Sequence, residues 1–199
     1  MSDTIKIAVV YHSGYGHTKV QAEAVHAGAD EGAGVNATLY AVDDLSDDLS
    51  ELADADAMIF GSPTYMGNVS GPFKSFMDKS SRIWLNRGWS GKIAGGFTNS
   101  SSQLGDKGST LQALSVFAVQ HGMVWVGLDM LPGNNSTQGS DTALNRMGAS
   151  LGAVAQSLAD QGPDQSPPSA DLETARAYGR NVALAARRWG KSDAQQKAA

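Results

Sequence analysis

Short apolar runs alternate along the chain with longer stretches in which apolar residues recur at helical spacing. Ile5 to Val10 is an apolar, β-branched run that ends at a glycine-rich turn, which predicts a buried strand. Thr18 to Glu31 keeps its apolar residues on one side and stops at two glycines, which predicts a helix. Val35 to Val42 alternates apolar and polar residues, as expected of a strand nearer a sheet edge. The N-terminal part therefore predicts a strand–helix–strand unit.

The same alternation continues through the middle of the chain. Further buried strands are predicted at Ala57 to Phe60, Lys92 to Phe97 and Met123 to Leu128. Helices are predicted from Pro72, because proline suits a first helical turn, and from Thr110 to Gln120. Strands that alternate with helices predict an α/β protein with a parallel sheet and right-handed crossovers.

Other stretches show no regular period. Asp43 to Asp54 is acidic and predicts a loop with a short helix, and Pro132 to Asn145 predicts a long loop. Gln161 to Pro168 is rich in glycine and proline, which break helices and strands. Ser169 to Trp189 then predicts the last helix, because acidic residues follow its serine cap in the first turn.

The composition is that of an ordinary globular protein. The 199 residues are 41% hydrophobic and 18% charged, which predicts one domain over residues 1–190 and a polar tail over residues 191–199. The net charge of −5 disfavours a nucleic-acid partner. The absence of cysteine excludes disulfides, metal–thiolate sites and thiol catalysis. Because no transmembrane run and no signal peptide are recognised, we expect a cytoplasmic protein with no membrane partner.

Three polar segments follow the first, third and fourth predicted strands. We call them the first loop (Tyr11 to Thr18), the second loop (Ser62 to Ser70) and the third loop (Thr98 to Lys107). All three are rich in Gly, Ser, Thr and Asn. In an open parallel sheet the carboxyl ends of the strands meet at one edge, where ligands bind. The three loops therefore predict one polar binding site.

The first loop has the chemistry of a phosphate site. It ends at a predicted helix N-terminus, whose free N–H groups and dipole favour an anion. Gly14 and Gly16 permit close backbone approach, and Ser13 and Thr18 supply hydroxyl groups. Lys19 stands where a dinucleotide fingerprint has its third glycine, and the first loop carries no Gly-Lys-Ser/Thr motif. Although such a turn alone is often only structural, the pattern favours a mononucleotide over a dinucleotide or ATP.

Three motifs in order carry a resemblance to a known family. They are Tyr11-His-Ser-Gly-Tyr-Gly-His-Thr, Phe60-Gly-Ser-Pro-Thr-Tyr-Met-Gly-Asn-Val-Ser-Gly and His121-Gly-Met-Val. Together they resemble the WrbA family of flavodoxin-like NAD(P)H:quinone oxidoreductases. The resemblance implies a flavodoxin-like three-layer sandwich with a five-stranded parallel sheet in the order 2-1-3-4-5. It also implies FMN as cofactor, NAD(P)H as co-substrate, a quinone or similar small-molecule acceptor, and a homo-oligomer, either a dimer or a tetramer.

The resemblance also implies roles for individual residues. The FMN phosphate would be held by Ser13, Gly14, Tyr15, Gly16, His17 and Thr18. The isoalloxazine ring would be lined by Pro63, Thr64, Tyr65, Met66, Gly67 and Asn68. The pyrimidine edge of the ring would be contacted by Asn99, Ser100, Ser101, Ser102, Gln103 and Leu104. Tyr15 and Trp84 would border the space for NAD(P)H or substrate, His121 is the candidate catalytic residue, and no metal is expected.

Some positions leave alternatives open. His121 could be a purely structural, hydrogen-bonded histidine, and Trp84 could be a core or subunit contact. The family usually has Arg-Phe at Tyr65-Met66, and Gln120 replaces a flavin-contacting histidine. The chain could therefore be a quinone reductase, a flavodoxin-type electron carrier or a non-enzymatic FMN-binding regulatory protein, since this fold hosts many functions.

Overall fold

The computed structural model describes the backbone of residues 4–197 and the side chains of residues 4–190. Its strands are β1 (Ile5–Tyr11), β2 (Val35–Ala41), β3 (Ala57–Tyr65), β4 (Asn68–Val69), β5 (Ile93–Ser100), β6 (Val124–Trp125) and β7 (Ala153–Gln156). Its α-helices are α1 (His17–Asp30), α2 (Gly71–Lys79), α3 (Ser81–Leu85), α4 (Lys107–Gln120) and α5 (Ser169–Lys197). The acidic stretch after β2 forms two single 3-10 turns, Val42–Asp44 and Ser50–Leu52.

The central sheet is parallel and has the predicted order. Its strands run β2-β1-β3-β5-β6, where β5 and β6 are the predicted fourth and fifth strands. Two short strands were not predicted: β4 pairs with β3 in an antiparallel hairpin, and β7 pairs with β5. The parallel α/β architecture and the order 2-1-3-4-5 are confirmed, while the strand count is seven rather than five.

The fifth position of the sheet differs from the prediction. Met123 to Leu128 was expected to form one strand, but β6 pairs over only two residues before β7 takes over beside the end of β5. The Tyr178 hydroxyl accepts the Gly96 N–H at 3.0 Å and donates to the Val126 carbonyl at 2.6 Å. If the parallel ladder between β5 and β6 continued, the Gly96 N–H would donate to the Val126 carbonyl. The hydroxyl therefore interrupts the ladder, and the chain leaves the sheet there.

Helices cover both faces of the sheet. One apolar cluster joins the sheet to α1 and α5 through residues such as Val25 and Val182, and a second joins it to α2 and α4 through residues such as Phe73 and Leu114. The predicted three-layer sandwich is confirmed. Between α1 and α5 the packing needs glycine, because a Cβ on Gly28 would stand 1.8 Å from a backbone oxygen of α5.

Two strands are longer than predicted at the edge that holds the loops. β3 continues to Tyr65 and β5 continues to Ser100, so polar residues such as Ser62 and Thr98 are paired across the sheet. Residues of the second and third loops therefore lie on rigid strand ends. A short hairpin turn follows β3, where Met66 and Gly67 both have positive φ.

The C-terminal helix is also longer than predicted. Its backbone continues to Lys197, so most of the predicted polar tail over residues 191–199 is helical. The side chains of that tail, and residues 198 and 199 altogether, lie outside the described residues. Within the described part of the chain, no helix combines the length and the apolar character that crossing a membrane requires.

Candidate functional site

The three loops meet in one cleft at the carboxyl edge of the sheet. The cleft has a volume of about 520 Å³, within the range of small-molecule sites. From the predicted set it is lined by Ser13, Tyr15, His17, Thr18, Pro63, Thr64, Tyr65, Asn99, Ser100 and Ser101. The prediction that strands far apart in sequence bring their polar ends together matches this geometry.

The first loop opens the N-terminus of α1 toward the cleft. Gly16 precedes the helix with φ of 91°, and no side-chain cap covers the helix end at this residue. The Ser13 hydroxyl accepts the N–H groups of Gly16 and Lys19 at 3.1 Å each, which holds the loop in a tight curl. Thr18 is buried in the first turn and lines the cleft. The first N–H groups of a helix have no acceptor within the helix, so an anion here would meet oriented donors.

Both glycines of the first loop lie in close contact with other segments. A Cβ on Gly14 would stand 2.7 Å from the Tyr65 hydroxyl oxygen, and a Cβ on Gly16 would stand 2.9 Å from Cγ of Pro163. The positive φ of Gly16 adds backbone strain for any other residue. The first loop is therefore fitted between the second loop and residues near Pro163.

A buried group of hydroxyls fixes the strand ends beneath the cleft. Thr64 Oγ1 lies 2.8 Å from Oγ1 of Thr98 and donates to Oγ1 of Thr110 at 2.8 Å. The Thr98 hydroxyl also lies 2.6 Å from the Ser62 carbonyl oxygen. All four residues are buried. These bonds join β3, β5 and α4, so the floor of the cleft is rigid.

Asn99 presents an unpaired acceptor at the cleft. Its side-chain NH₂ donates to the Ser157 hydroxyl at 2.8 Å, which sets the orientation of the amide. Its Oδ1 atom is buried and has no hydrogen-bond partner. A buried acceptor left unpaired costs about 1–3 kcal/mol. A ligand N–H directed at this oxygen would recover that free energy.

A fourth wall of the cleft was missed by the sequence analysis. We call residues 157–163 the closing segment; its lining residues are Ser157, Leu158, Ala159, Gln161, Gly162 and Pro163. The ring of His17 holds it, with Nε2 2.9 Å from the Gln161 carbonyl oxygen. The available signal was the Gly-Pro breaker after the short apolar run Ala153 to Ala155, which is β7.

Aromatic and apolar side chains form an exposed rim. Tyr15 is 77% exposed, and its ring packs edge-on against Tyr65 with centroids 6.2 Å apart. Burial raises the pKa of the Tyr65 phenol, so it stays protonated at neutral pH. Met66 and Leu104 are also exposed. An exposed aromatic pair beside a polar cleft suits a flat ligand that must remain accessible from solution.

Several predicted site residues lie outside the lining of the cleft. They are Gly14, Gly16, Met66, Gly67, Asn68, Ser102, Gln103, Leu104, Trp84 and His121. The two glycines shape the first loop, and Met66 to Asn68 form the hairpin after β3. Trp84 is on α3 and is 47% exposed. No substrate role for Trp84 follows from this position.

The candidate catalytic residue His121 lies in the apolar cluster on the α2–α4 face of the sheet. Its Nε2 is 2.9 Å from the Ser80 hydroxyl, and its ring packs on Trp89 at 4.5 Å. Burial lowers the pKa of the imidazole. His121 lines no part of the cleft, so its geometry matches the structural alternative rather than the catalytic one. His121 directly follows the last residue of α4, and its side chain packs into the protein interior there.

Comparisons with known proteins agree with this arrangement. Residues 22–137, more than half of the chain, match the family model described as NADPH-dependent FMN reductase. The chain is 44% identical over 182 residues to flavodoxin FldP of Pseudomonas aeruginosa, covering 89% of this chain and 95% of that protein. It is 33% identical over 201 residues to an NAD(P)H dehydrogenase (quinone) of Geotalea daltonii, covering 90% and 95% of the two chains.

A solved structure extends the likeness to three dimensions. A flavodoxin, WrbA-like protein from Agrobacterium tumefaciens superposes with a TM-score of 0.71 at 42% identity, covering 92% of this chain and 98% of that one. A flavodoxin from the domain Archaea shares the fold, with a TM-score of 0.64 at 21% identity. The chain therefore belongs to the NADPH-dependent FMN reductase family and is a WrbA-like protein with a flavodoxin-like fold.

Proposed function

We propose that the cleft binds FMN and that the protein is an NAD(P)H:quinone oxidoreductase. One observation carries the proposal: an open helix N-terminus borders the cleft, and Asn99, which lines the same cleft, has an unpaired buried amide oxygen. FMN combines a phosphate with a ring that carries an N–H group, so its two ends match these two features. The names of the relatives at about 33% identity support the same activity.

The residues around the cleft fit the parts of this cofactor. The first turn of α1, with Ser13 and Thr18, would hold the phosphate through N–H and O–H donors. Thr64 and Pro63 would support the ring, since they lie on the rigid end of β3. Asn99 Oδ1 would accept from the ring N–H, because its amide is already oriented by Ser157. Backbone donors of the third loop would face the developing negative charge of a reduced ring.

When bound, FMN supplies the redox chemistry by taking hydride from NAD(P)H and passing two electrons to a quinone. The protein's part is to position the reactants and to limit access to the cleft. Tyr15 and Tyr65 would border the flat reactants, while the hydroxyl floor keeps the strand ends from moving. The closing segment limits access from the side of β7. None of these roles requires a protonated side chain at the reacting atoms.

The test measures both binding and turnover. FMN titrated into the purified protein should quench its fluorescence with a saturable isotherm, and the loaded protein should oxidise NADPH with benzoquinone faster than free FMN does. Gly16→Val should weaken binding by at least about 100-fold, because strain and the Pro163 contact add. Gly91→Val is the matched control: Gly91 also has positive φ, but a Cβ there meets nothing within 4 Å. Absence of saturable binding would reject the proposal.

A flavodoxin-type electron carrier is the second candidate function. The name of the relative at 44% identity, flavodoxin FldP, favours it. A carrier would bind FMN equally well but would turn over NAD(P)H and quinone no faster than free FMN. It would instead exchange single electrons with a protein partner, for which the net charge of −5 suits a basic surface. A third possibility, a non-enzymatic FMN-binding regulatory protein, would show neither activity.

Assembly and location are also proposals. The family resemblance supports a homo-oligomer, either a dimer or a tetramer, and the sequence without a recognised export signal or transmembrane run supports the cytoplasm. Light scattering of the purified protein at several concentrations measures the assembly directly. A monomer at all of them would contradict it.

A further inference from the structure

The last residue of the third loop is a buried lysine. Lys107 is the first residue of α4 and is only 3% exposed. Its ammonium donates to the carbonyl oxygens of Ser102 at 2.6 Å and Gln103 at 3.1 Å. The side chain does not line the cleft, whereas Ser100 and Ser101 do. The lysine therefore binds the carbonyls of the loop without lining the cleft itself.

A second side chain holds the preceding residue in the same way. The Gln156 amide on β7 donates to the Ser101 carbonyl at 3.2 Å. The Gln156 backbone N–H in turn donates to Asp171 at 2.9 Å, and Asp171 forms a buried ion pair with Arg146 at 2.7 Å. Three consecutive carbonyls of the third loop are thus bound from within the protein.

The direction of these carbonyls decides where the loop's donors point. In a trans peptide the C=O and the following N–H point in opposite directions, and the only cis peptide among the described residues is Ser166–Pro167. With the carbonyls of residues 101–103 turned toward Lys107 and Gln156, the N–H groups of Ser102, Gln103 and Leu104 are turned away from them. These backbone donors are therefore presented on the side of the loop that faces away from Lys107 and Gln156.

Lys107 is badly placed for helix stability alone. A cation in the first turn of a helix opposes the helix dipole, which favours acidic residues there. Burial also disfavours its charge and lowers the pKa of the ammonium to about 8. The carboxylate of Asp171 opposes that shift, and Arg146 adds to it. At neutral pH the group is still mostly charged, so the fold maintains a buried cation behind this one loop.

We propose that Lys107 is a positioning residue for the cofactor: it orients the N–H donors of the third loop and places positive charge behind them. This inference rests on the proposed binding of FMN in the cleft. Because reduced FMN carries more negative charge at its pyrimidine edge than oxidised FMN, the charge and the donors would stabilise the reduced form more. Lys107 would thus strengthen FMN binding and raise its reduction potential.

The chain offers a matched control in Lys92. Its ammonium also donates to two backbone carbonyls, those of Ala53 at 2.6 Å and Ala55 at 2.5 Å. Burial lowers the pKa of Lys92 as well. Lys92 directly precedes β5, at the opposite end of that strand from the cleft. Lys92→Met therefore removes the same kind of bonds without touching the third loop.

The experiment compares Lys107→Met, Lys92→Met and the unchanged protein. FMN affinity is measured by fluorescence quenching, and the two-electron midpoint potential is measured from about pH 6 to pH 9 across the range in which Lys107 titrates. Lys107→Met should weaken oxidised FMN about 10-fold and reduced FMN about 100-fold, which lowers the potential by about 30 mV. Lys92→Met should change neither value. In the unchanged protein the plot of potential against pH should bend near pH 8, and Lys107→Met should lose the bend.

The outcomes separate this inference from the proposed function. Tight FMN binding with equal affinities and potentials in Lys107→Met and Lys92→Met would overturn the role of Lys107 and leave the FMN site intact. If Lys107→Met does not fold, Lys107→Gln takes its place, because glutamine keeps side-chain donors but carries no charge; affinities and a potential equal to those of the unchanged protein would then overturn the role. Failure of the unchanged protein to bind FMN would overturn both.

Discussion

Nε2 of His17 lies 2.9 Å from the carbonyl oxygen of Gln161, although 144 positions separate the two residues in the chain. This bond joins the first turn of α1 to the closing segment. The first loop and the closing segment are therefore parts of one wall. Pro163 packs against Gly16 beside the same bond, so both contacts hold the wall at the N-terminus of α1.

Removing this bond should loosen the cleft. We expect His17→Phe to weaken FMN binding about 5-fold, since one hydrogen bond contributes about 1 kcal/mol. The measurement is fluorescence quenching by titrated FMN. His26→Phe is the control, because the His26 ring makes a similar bond to the Ala37 carbonyl at 3.1 Å, away from the cleft. Equal FMN affinities in the two variants would contradict the role of His17.

Substitution of Asn99 should change FMN affinity without changing the stability of the FMN-free protein. Asn99→Leu removes the unpaired Oδ1, so the FMN-free protein should keep its unfolding temperature to within a few degrees while FMN binding weakens about 10-fold. Ser157→Ala should give a smaller loss of affinity, because it frees the Asn99 amide to rotate without removing it. Thermal unfolding with and without FMN measures both effects. Unchanged affinity in Asn99→Leu would show that the amide oxygen receives no ligand.

Two buried histidines should make the protein sensitive to acid. Burial lowers the pKa of both His12 and His121 below the ordinary value of 6.5. Below that pH the unfolded chain binds protons that the native protein does not, so native stability falls as pH decreases through this window. Urea unfolding near pH 7.5 and near pH 5 measures the loss.

His121→Gln separates this contribution and tests the structural role of the residue. The variant should lose less stability between the two pH values than the unchanged protein does, because one proton-binding group of the unfolded chain is gone. Its FMN affinity should be unchanged, since His121 lies outside the cleft. A variant with weakened FMN binding and normal stability would restore a functional role for this histidine.

The Tyr178 hydroxyl should contribute more to the free energy of unfolding than an ordinary surface hydroxyl does. Tyr178→Phe leaves the Gly96 N–H and the Val126 carbonyl without their partner. Each unpaired buried group costs about 1–3 kcal/mol, so we expect the free energy of unfolding to fall by about 2–6 kcal/mol. Urea unfolding is the measurement. A loss under about 0.5 kcal/mol would mean that the ladder closes over the gap.

Sequence patterns spanning only a few residues predicted most of the strands and helices and much of the candidate site. The β-branched run at Ile5 to Val10 and the glycines of the first loop carry their structural meaning within a few residues. Parallel topology then placed the loops after three strands at one edge, since it follows from the alternation alone. Strand ends were predicted too short because Ser62 and Thr98 are polar, and their pairing depends on neighbours that the pattern does not contain.

The features that the sequence did not predict depend on distant contacts. β7 is four residues long, too short for a periodic signal, and it pairs with β5 beyond the point where the Tyr178 hydroxyl ends the β5–β6 ladder. The closing segment follows from β7 and was missed with it. The sequence places Lys107 only at the end of the third loop, whereas its electrostatic neighbours Asp171 and Arg146 lie far along the chain.

The insertion of the Tyr178 hydroxyl between β5 and β6 also divides the central sheet from the long stretch that follows β6. The chain leaves the sheet at Val126 and returns at Ala153, beside the same strand. Apart from Asn145 and Arg146, which are bonded to α5, the residues between these two points can change in number and chemistry without shifting the register of any strand. Evolution could in this way change what the protein meets in the cell while the cleft is inherited intact.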